Sequence, residues 1–412
     1  MGLVSIENVR PGMVLASELR APDGRVMLGK GVTIEDRHIR MLRLWGIPVA
    51  DVEGYEDRAI AEEEGVREEA LRKARALVSR WMNPGTAFEE EIFAQAVREV
   101  GQRIAKEGSV PSAWIPYPPA EVPKVTLGDM GVGVPAMRHL VRQHVRLSSF
   151  PAIYFKLREV IESPVSSASK IAEVVSKDPA LTVRLLRLVN SSYYGFPKRI
   201  DSIQRAVAIV GTNQLTALAM AVSAVGAFKG IPSSRIDVES FWEHSISCAV
   251  ICRVIAFTLR MPNEEQFFLS GLLHDVGRLV LFAKVPWVMK SLMDLALYEG
   301  VPMHRVEERH LGFHHGSMGE ALLKEWNIPD FIRTMVGGHH SPDESDLPRE
   351  SAVAHLADAM ALALRWGNSG SHLVPTLSQR GLDMLELPPE ALPAMVSQAR
   401  RQIAEIRRIF LI

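Results

Sequence analysis

The stretch Leu269 to Phe282, LSGLLHDVGRLVLF, constrains this chain more than any other, because an ionisable pair, His274-Asp275, interrupts a run otherwise suited to a protein core. Leu269, Leu272, Leu273, Val276, Leu279 and Val280 recur at helical spacing, so a helix with a buried apolar face is expected. A buried carboxylate without a partner costs several kcal/mol or is driven neutral, so Asp275 needs a metal, an arginine or a hydrogen-bonded histidine. For an isolated His-Asp pair, simple mutual satisfaction is the better reading. This pair is not isolated. Of 13 histidines, nine fall between His244 and His355, and His315 (followed by Gly319) and the pair His339-His340 repeat the polar-in-apolar pattern.

A chain of 412 residues is long enough for two or three domains. With 47% apolar and 23% charged residues and a formal net charge of −1, it lacks the composition of a disordered or membrane chain and the basic excess of a nucleic-acid binder. No signal-peptide pattern opens it, and the most membrane-like run is taken as Leu215 to Phe228, too short to span a bilayer. The expectation is a cytoplasmic protein with no membrane and no nucleic-acid contact. Cys248 and Cys252, four apart, read as core residues rather than ligands.

Residues 1–54 read as a small α+β unit. Strands are expected over Val14 to Leu19, Arg25 to Leu28 and Ile47 to Val52, with a turn at Pro22-Asp23-Gly24. A helix capped by Thr33 is expected to run through Ile39, Leu42 and Trp45 and stop at Gly46. Residues 55–107 carry alternating charges and then the apolar stripe Ile92, Phe93, Ala96, Val97, Val100 and Ile104, which suggests a charged helical hairpin. Residues 108–136 hold prolines at 111, 116, 118, 119, 123 and 135 and read as a linker. From 137 to 412 the pattern is helix after helix. Asp178-Pro179 and Ser202 mark helix starts, and a final docking helix from Pro389 to Phe410 keeps its arginines largely off the apolar side.

The histidines and aspartates together suggest a metal centre built from His244, His274, Asp275, His315, His339, His340 and Asp358. Imidazoles with a few carboxylates suit iron, manganese or zinc rather than calcium or magnesium. Asp275 could bridge two ions, the arrangement used in two-metal phosphate ester hydrolysis. His355, one turn before Asp358, fits a supporting role. A metal-free core network and an Asp358–Arg365 pair remain open alternatives.

From about Leu147 to Leu347 the chain resembles an HDOD domain, the HD-related output domain of bacterial signalling proteins. The resemblance is carried by DPALTVRLLRLVNSSYYG, SIQRAVAIVG, GLLHDVGRLVL, HHGSMGEALLKEWNIP and GHHSP. The first fifty-odd residues, with VRPGMVLASEL, PDGRVMLGKGVTI and HIRMLRLWGI, are similar to the segment that precedes HD-GYP phosphodiesterases. The resemblance implies a mainly α protein: an all-helical HD-like domain preceded by a small α+β unit, acting as a regulatory, partner-binding module. Carried over from the catalytic relatives, the HD-GYP ligand pattern falls on the same seven residues, His244 to Asp358. The chain departs from it at Arg278, where those enzymes have lysine, and at SPDESDLP, which replaces the GYP-bearing loop. Arginine holds phosphate through a planar fork rather than a point charge.

The expected function is therefore a signal-transduction module working through a protein partner, with a His/Asp cluster for one or two ions of iron, manganese or zinc. The alternative is a metal-dependent phosphohydrolase or cyclic nucleotide phosphodiesterase, with Arg278 or Lys284 clamping phosphate and a nucleotide or cyclic dinucleotide as ligand. Self-association is compatible with either. An enzyme requires an open cleft over the cluster, whereas a binding module can seal it.

Overall fold

The computed structural model describes residues 2–6, 9–20, 26–44, 49–53, 57–128, 131–147, 152–163, 167–191, 194, 196, 198–227 and 236–411. The chain divides into two compact units, 1–73 and 74–412.

The first unit is α+β, as its turn-rich sequence implies. Strand Gly2–Ser5 pairs antiparallel with Val49–Val52, placing Gly2 opposite Val52, and Leu19–Arg20 pairs with Val26–Leu28. Its core gathers Ile6, Val9, Leu15, Leu19, Ile34, Ile39, Leu42, Ala50 and Val52. The strand expected over Val14 to Leu19 is realised only as bridges at Val14 and Leu15 and the short Leu19–Arg20 pairing. Thr33 does not cap the helix. It bridges to Val14, and the helix runs Asp36–Leu44. The turn at Pro22-Asp23-Gly24, Trp45 and Gly46 lie outside the described residues.

Among the described residues of the second unit the regular elements are all helices. Helix Ala87–Glu107 is capped by Thr86, whose side chain accepts from Glu89 N–H, and buries the expected stripe from Ile92 to Ile104. Pro135 does not exclude a helix as the linker reading required. It sits in the first turn of Gly133–Leu147, where its missing N–H has no partner to lose. Asp178 and Ser202 cap Pro179–Val189 and Ile203–Val210 through side-chain bonds to Leu181 N–H and Arg205 N–H.

The central element is helix Val238–Thr258. It packs against Glu264–Leu273, Pro348–Ala363 and Leu392–Phe410. Among the described residues this helix alone matches a membrane span by its own length and hydropathy, whereas Ile203–Val210 and Thr212–Val225 match only when taken together across a 120° bend. Of the central helix's most apolar window, 78% is buried inside the fold. Its apolar surface is spent on the protein core.

The stretch that opened the sequence reading is not one helix. It breaks at the polar pair into Glu264–Leu273 and Val276–Lys284, with His274 ending the first and Asp275 starting the second. Apolar periodicity continues across the break, so pattern alone could not reveal it. Two glycines set how closely the flanking helices approach. A Cβ on Gly271 would stand 2.8 Å from Ala249 Cα, and one on Gly277 would stand 2.0 Å from the His315 carbonyl oxygen. Those contacts bring the His274-Asp275 corner against the helices that carry His244 and His315.

Candidate metal centre

All seven histidines and aspartates singled out in the sequence meet around the His274-Asp275 corner. His244 comes from the central helix, His315 from the first turn of His315–Glu325, His339-His340 from the end of Asp330–Gly338, and Asp358 from Pro348–Ala363. His244 Nε2 lies 3.3 Å from His274 Nε2, 3.2 Å from Asp358 Oδ1 and 3.7 Å from Asp275 Oδ2. His274 Nε2 lies 3.3 Å from Asp275 Oδ2 and 3.6 Å from Asp358 Oδ1. Donor atoms sharing one ion through bonds of about 2.1 Å stand about 3.0–3.4 Å apart, so these spacings are near those of a coordination shell. The other Asp275 oxygen, Oδ1, is 3.0 Å from His315 Nε2, and His340 Nε2 is 2.8 Å from that same nitrogen.

The imidazoles are oriented from behind. His274 Nδ1 bonds the Gly271 carbonyl at 2.8 Å, His339 Nδ1 the Val336 carbonyl at 2.7 Å, and His315 Nδ1 the Glu307 carboxylate at 2.5 Å. Carbonyl and carboxylate oxygens only accept, so each Nδ1 carries the proton in these bonds. In a neutral ring this turns an Nε2 lone pair toward the centre, the arrangement that metal-binding histidines use. His339 Nε2 is buried without a hydrogen-bond partner, an orphaned acceptor that a cation would satisfy. His355 supports the same strand of contacts, its Nδ1 bonding the His339 carbonyl at 2.7 Å.

The electrostatics favour positive charge at the centre. Burial would lower His244, but Cys248 and Asp358 beside it push it up to about 9. His274 is likewise raised against burial by Asp275 and Cys248. Burial would raise Asp275 and Asp358, yet Arg278 and His274 hold the first, and His244 and His274 the second, well below the usual carboxylate range. Burial and the neighbouring imidazoles push His339 and His340 down, which keeps them neutral.

Several contributors were missed in the sequence. Cys248, read as a core residue, has its Sγ 3.6 Å from His244 Nε2 and belongs to a ligand-capable group with His244, His274 and Asp358. Its position four residues after His244, on the same helix face, was the available signal. Glu307 and the stacked pair His304–His340, with ring centroids 4.0 Å apart, left no such signal. Of the two phosphate-clamp candidates, Arg278 enters the centre, whereas Lys284 reaches the Gln143 carbonyl at 3.4 Å, away from it. Arg365 does not pair with Asp358. It lies over the Trp81 ring, 4.1 Å from its centroid, and donates to the His372 carbonyl.

Helices that gather an adjacent His-Asp pair with histidines from other elements define an HD-type helical domain. Residues 147–342 match the HDOD domain family, a span that holds all the candidate ligands but Asp358. The chain is 28% identical over 200 residues to an uncharacterized protein of Treponema pallidum (strain Nichols), covering 48% of this chain and 38% of that protein. The chain thus spans well under half the length of that relative. Among solved structures it is similar to an HDOD domain protein of unknown function from Geobacter sulfurreducens, with 24% identity and a TM-score of 0.53, covering 68% of this chain and 99% of that one. A protein of Shewanella amazonensis SB2B provisionally named a phosphohydrolase matches at 21% identity and a TM-score of 0.53, covering 66% and 97%. At these identities the likeness to both structures is one of fold.

Proposed function

We propose that this chain is a regulatory module of the HDOD type that acts through a protein partner, with its His/Asp centre holding a transition-metal ion as a buried part of the scaffold. The observation that carries this reading is the closure of the centre. His244, His274, Asp275, His315 and His339 are at most 1% exposed, Asp358 is 3% exposed and His340 8%. A hydrolase must admit a phosphate ester to a vacant position on its metal. Here cavities of about 560, 540 and 830 Å³ lie elsewhere on the second unit, lined by residues outside the donor set.

The donors fit zinc or iron best, because Cys248 adds a soft sulfur to imidazole and carboxylate. A bound ion would supply Lewis acidity, but in a sealed site its main effect is to neutralise Asp275 and Asp358 and to cross-link the helices that carry them. The residues themselves then do what a scaffold needs: they orient one another and exclude water.

The test is a turnover assay on metal-loaded protein with bis(p-nitrophenyl) phosphate and cyclic di-GMP. No hydrolysis above that of the free metal is expected. Turnover that disappears in Asp275→Ala would contradict the reading and establish the phosphodiesterase alternative.

A further inference from the structure

We propose that Arg278 stands in for a second metal ion, so that the centre holds a single ion on its His244 side and a tethered guanidinium on its His315 side. This rests on the reading above that the centre binds metal.

Asp275 faces two ways. Its Oδ2 serves the His244–His274 side, and its Oδ1 lies 3.0 Å from His315 Nε2. The His315 side has donors enough for an ion of its own, since His315, His339 and His340 bring imidazole nitrogens close enough to share one. Arg278 contacts the same atoms. Its Nη2 lies 3.2 Å from His315 Nε2, and its Nε lies 3.3 Å from Asp275 Oδ1.

The guanidinium is fixed in that place. Arg278 is 2% exposed, and its Nη1 donates to the Ser369 carbonyl at 3.2 Å and to the Ser369 hydroxyl at 3.1 Å. Guanidinium does not lose its proton in proteins, so its charge is permanent, unlike that of a buried lysine. It therefore repels a second dication and, through Nη2, occupies the His315 Nε2 lone pair that such an ion would need. On the His244 side the ligand-capable group is His244, Cys248, His274 and Asp358. A one-ion centre lacks the paired ions that clamp both the attacking and the leaving oxygen in two-metal phosphoryl displacement.

The experiment strips the full-length protein of metal, reloads it with Mn(II), and measures bound metal by elemental analysis and spin coupling by electron paramagnetic resonance. Wild type is expected to bind one equivalent with an uncoupled signal. Arg278→Gln, which removes the charge and keeps a polar side chain, is expected to bind two with an exchange-coupled signal. Arg278→Lys, which keeps a cation there, is expected to stay at one and serves if the glutamine variant fails to fold. Two coupled ions in the wild type, or one ion in a folded Arg278→Gln, would overturn this proposal and leave the metal reading standing. No ion in any of the proteins would remove the metal reading and this proposal with it.

Discussion

Glu307 Oε2 accepts two hydrogen bonds from His315, one from its main-chain N–H at 2.9 Å and one from its Nδ1 at 2.5 Å, with both residues fully buried. One carboxylate thus fixes the backbone and the ring of a single histidine. Burial opposes the charge on Glu307, and His315 restores it, holding the carboxyl below its ordinary range.

Removing that carboxylate should be costly, because it leaves two buried donors unanswered. Glu307→Ala is expected to destabilise the metal-free protein by about 3–5 kcal/mol, the usual cost of breaking a buried charged pair. Glu307→Gln keeps an acceptor and should lose less. Urea denaturation followed by circular dichroism measures both, and equal losses would mean that hydrogen bonding to His315 is not what Glu307 provides.

Cys248 should act as a metal ligand. Reconstitution with Co(II) is expected to give a thiolate-to-cobalt charge-transfer band that vanishes in Cys248→Ser, with Cys252→Ser as the control that keeps it. Cys252 is also buried, but burial raises its thiol well above the ordinary range, whereas His244 and His274 lower Cys248 against burial. A band that persists in Cys248→Ser would exclude sulfur from the shell.

The centre also sets a pH dependence whose sign follows from His244. Its value in the metal-free fold is raised from 6.5 to about 9. The stabilisation this implies is complete below about 6.5 and is lost as pH rises through about 9. The melting temperature of metal-free protein is therefore expected to fall between pH 6.5 and 9, while the metal-loaded protein, with no proton on that nitrogen, stays level. Metal affinity should rise over the same interval as the competing proton leaves. Parallel melting curves for the two forms would contradict this account.

Much of the second unit was legible because its signals are local. Asp178, Ser202 and the stripe on Ala87–Glu107 follow from capping chemistry and helical spacing, which need no knowledge of distant residues. The seven candidate ligands were legible because polar residues embedded in apolar runs demand partners. What escaped depended on contacts remote in sequence. Nothing in MHRVEERHL distinguishes Glu307 from the exposed Glu308 beside it until the chain folds back on His315. Apolar periodicity encodes neither the break at His274-Asp275 nor the close backbone approach at Gly271 and Gly277. In the first unit, strand Gly2–Ser5 finds its partner nearly fifty residues later, beyond any local signal.

The most direct test of the central claim is elemental analysis of protein purified without oxygen or chelator, wild type beside His274→Ala/Asp275→Ala, each checked for helical circular dichroism. One equivalent of a transition metal in the wild type and none in the folded double variant is the expected result. A metal-free wild type that takes up nothing on reconstitution, or a double variant that keeps full occupancy, would show that these buried residues form a core network and not a metal centre.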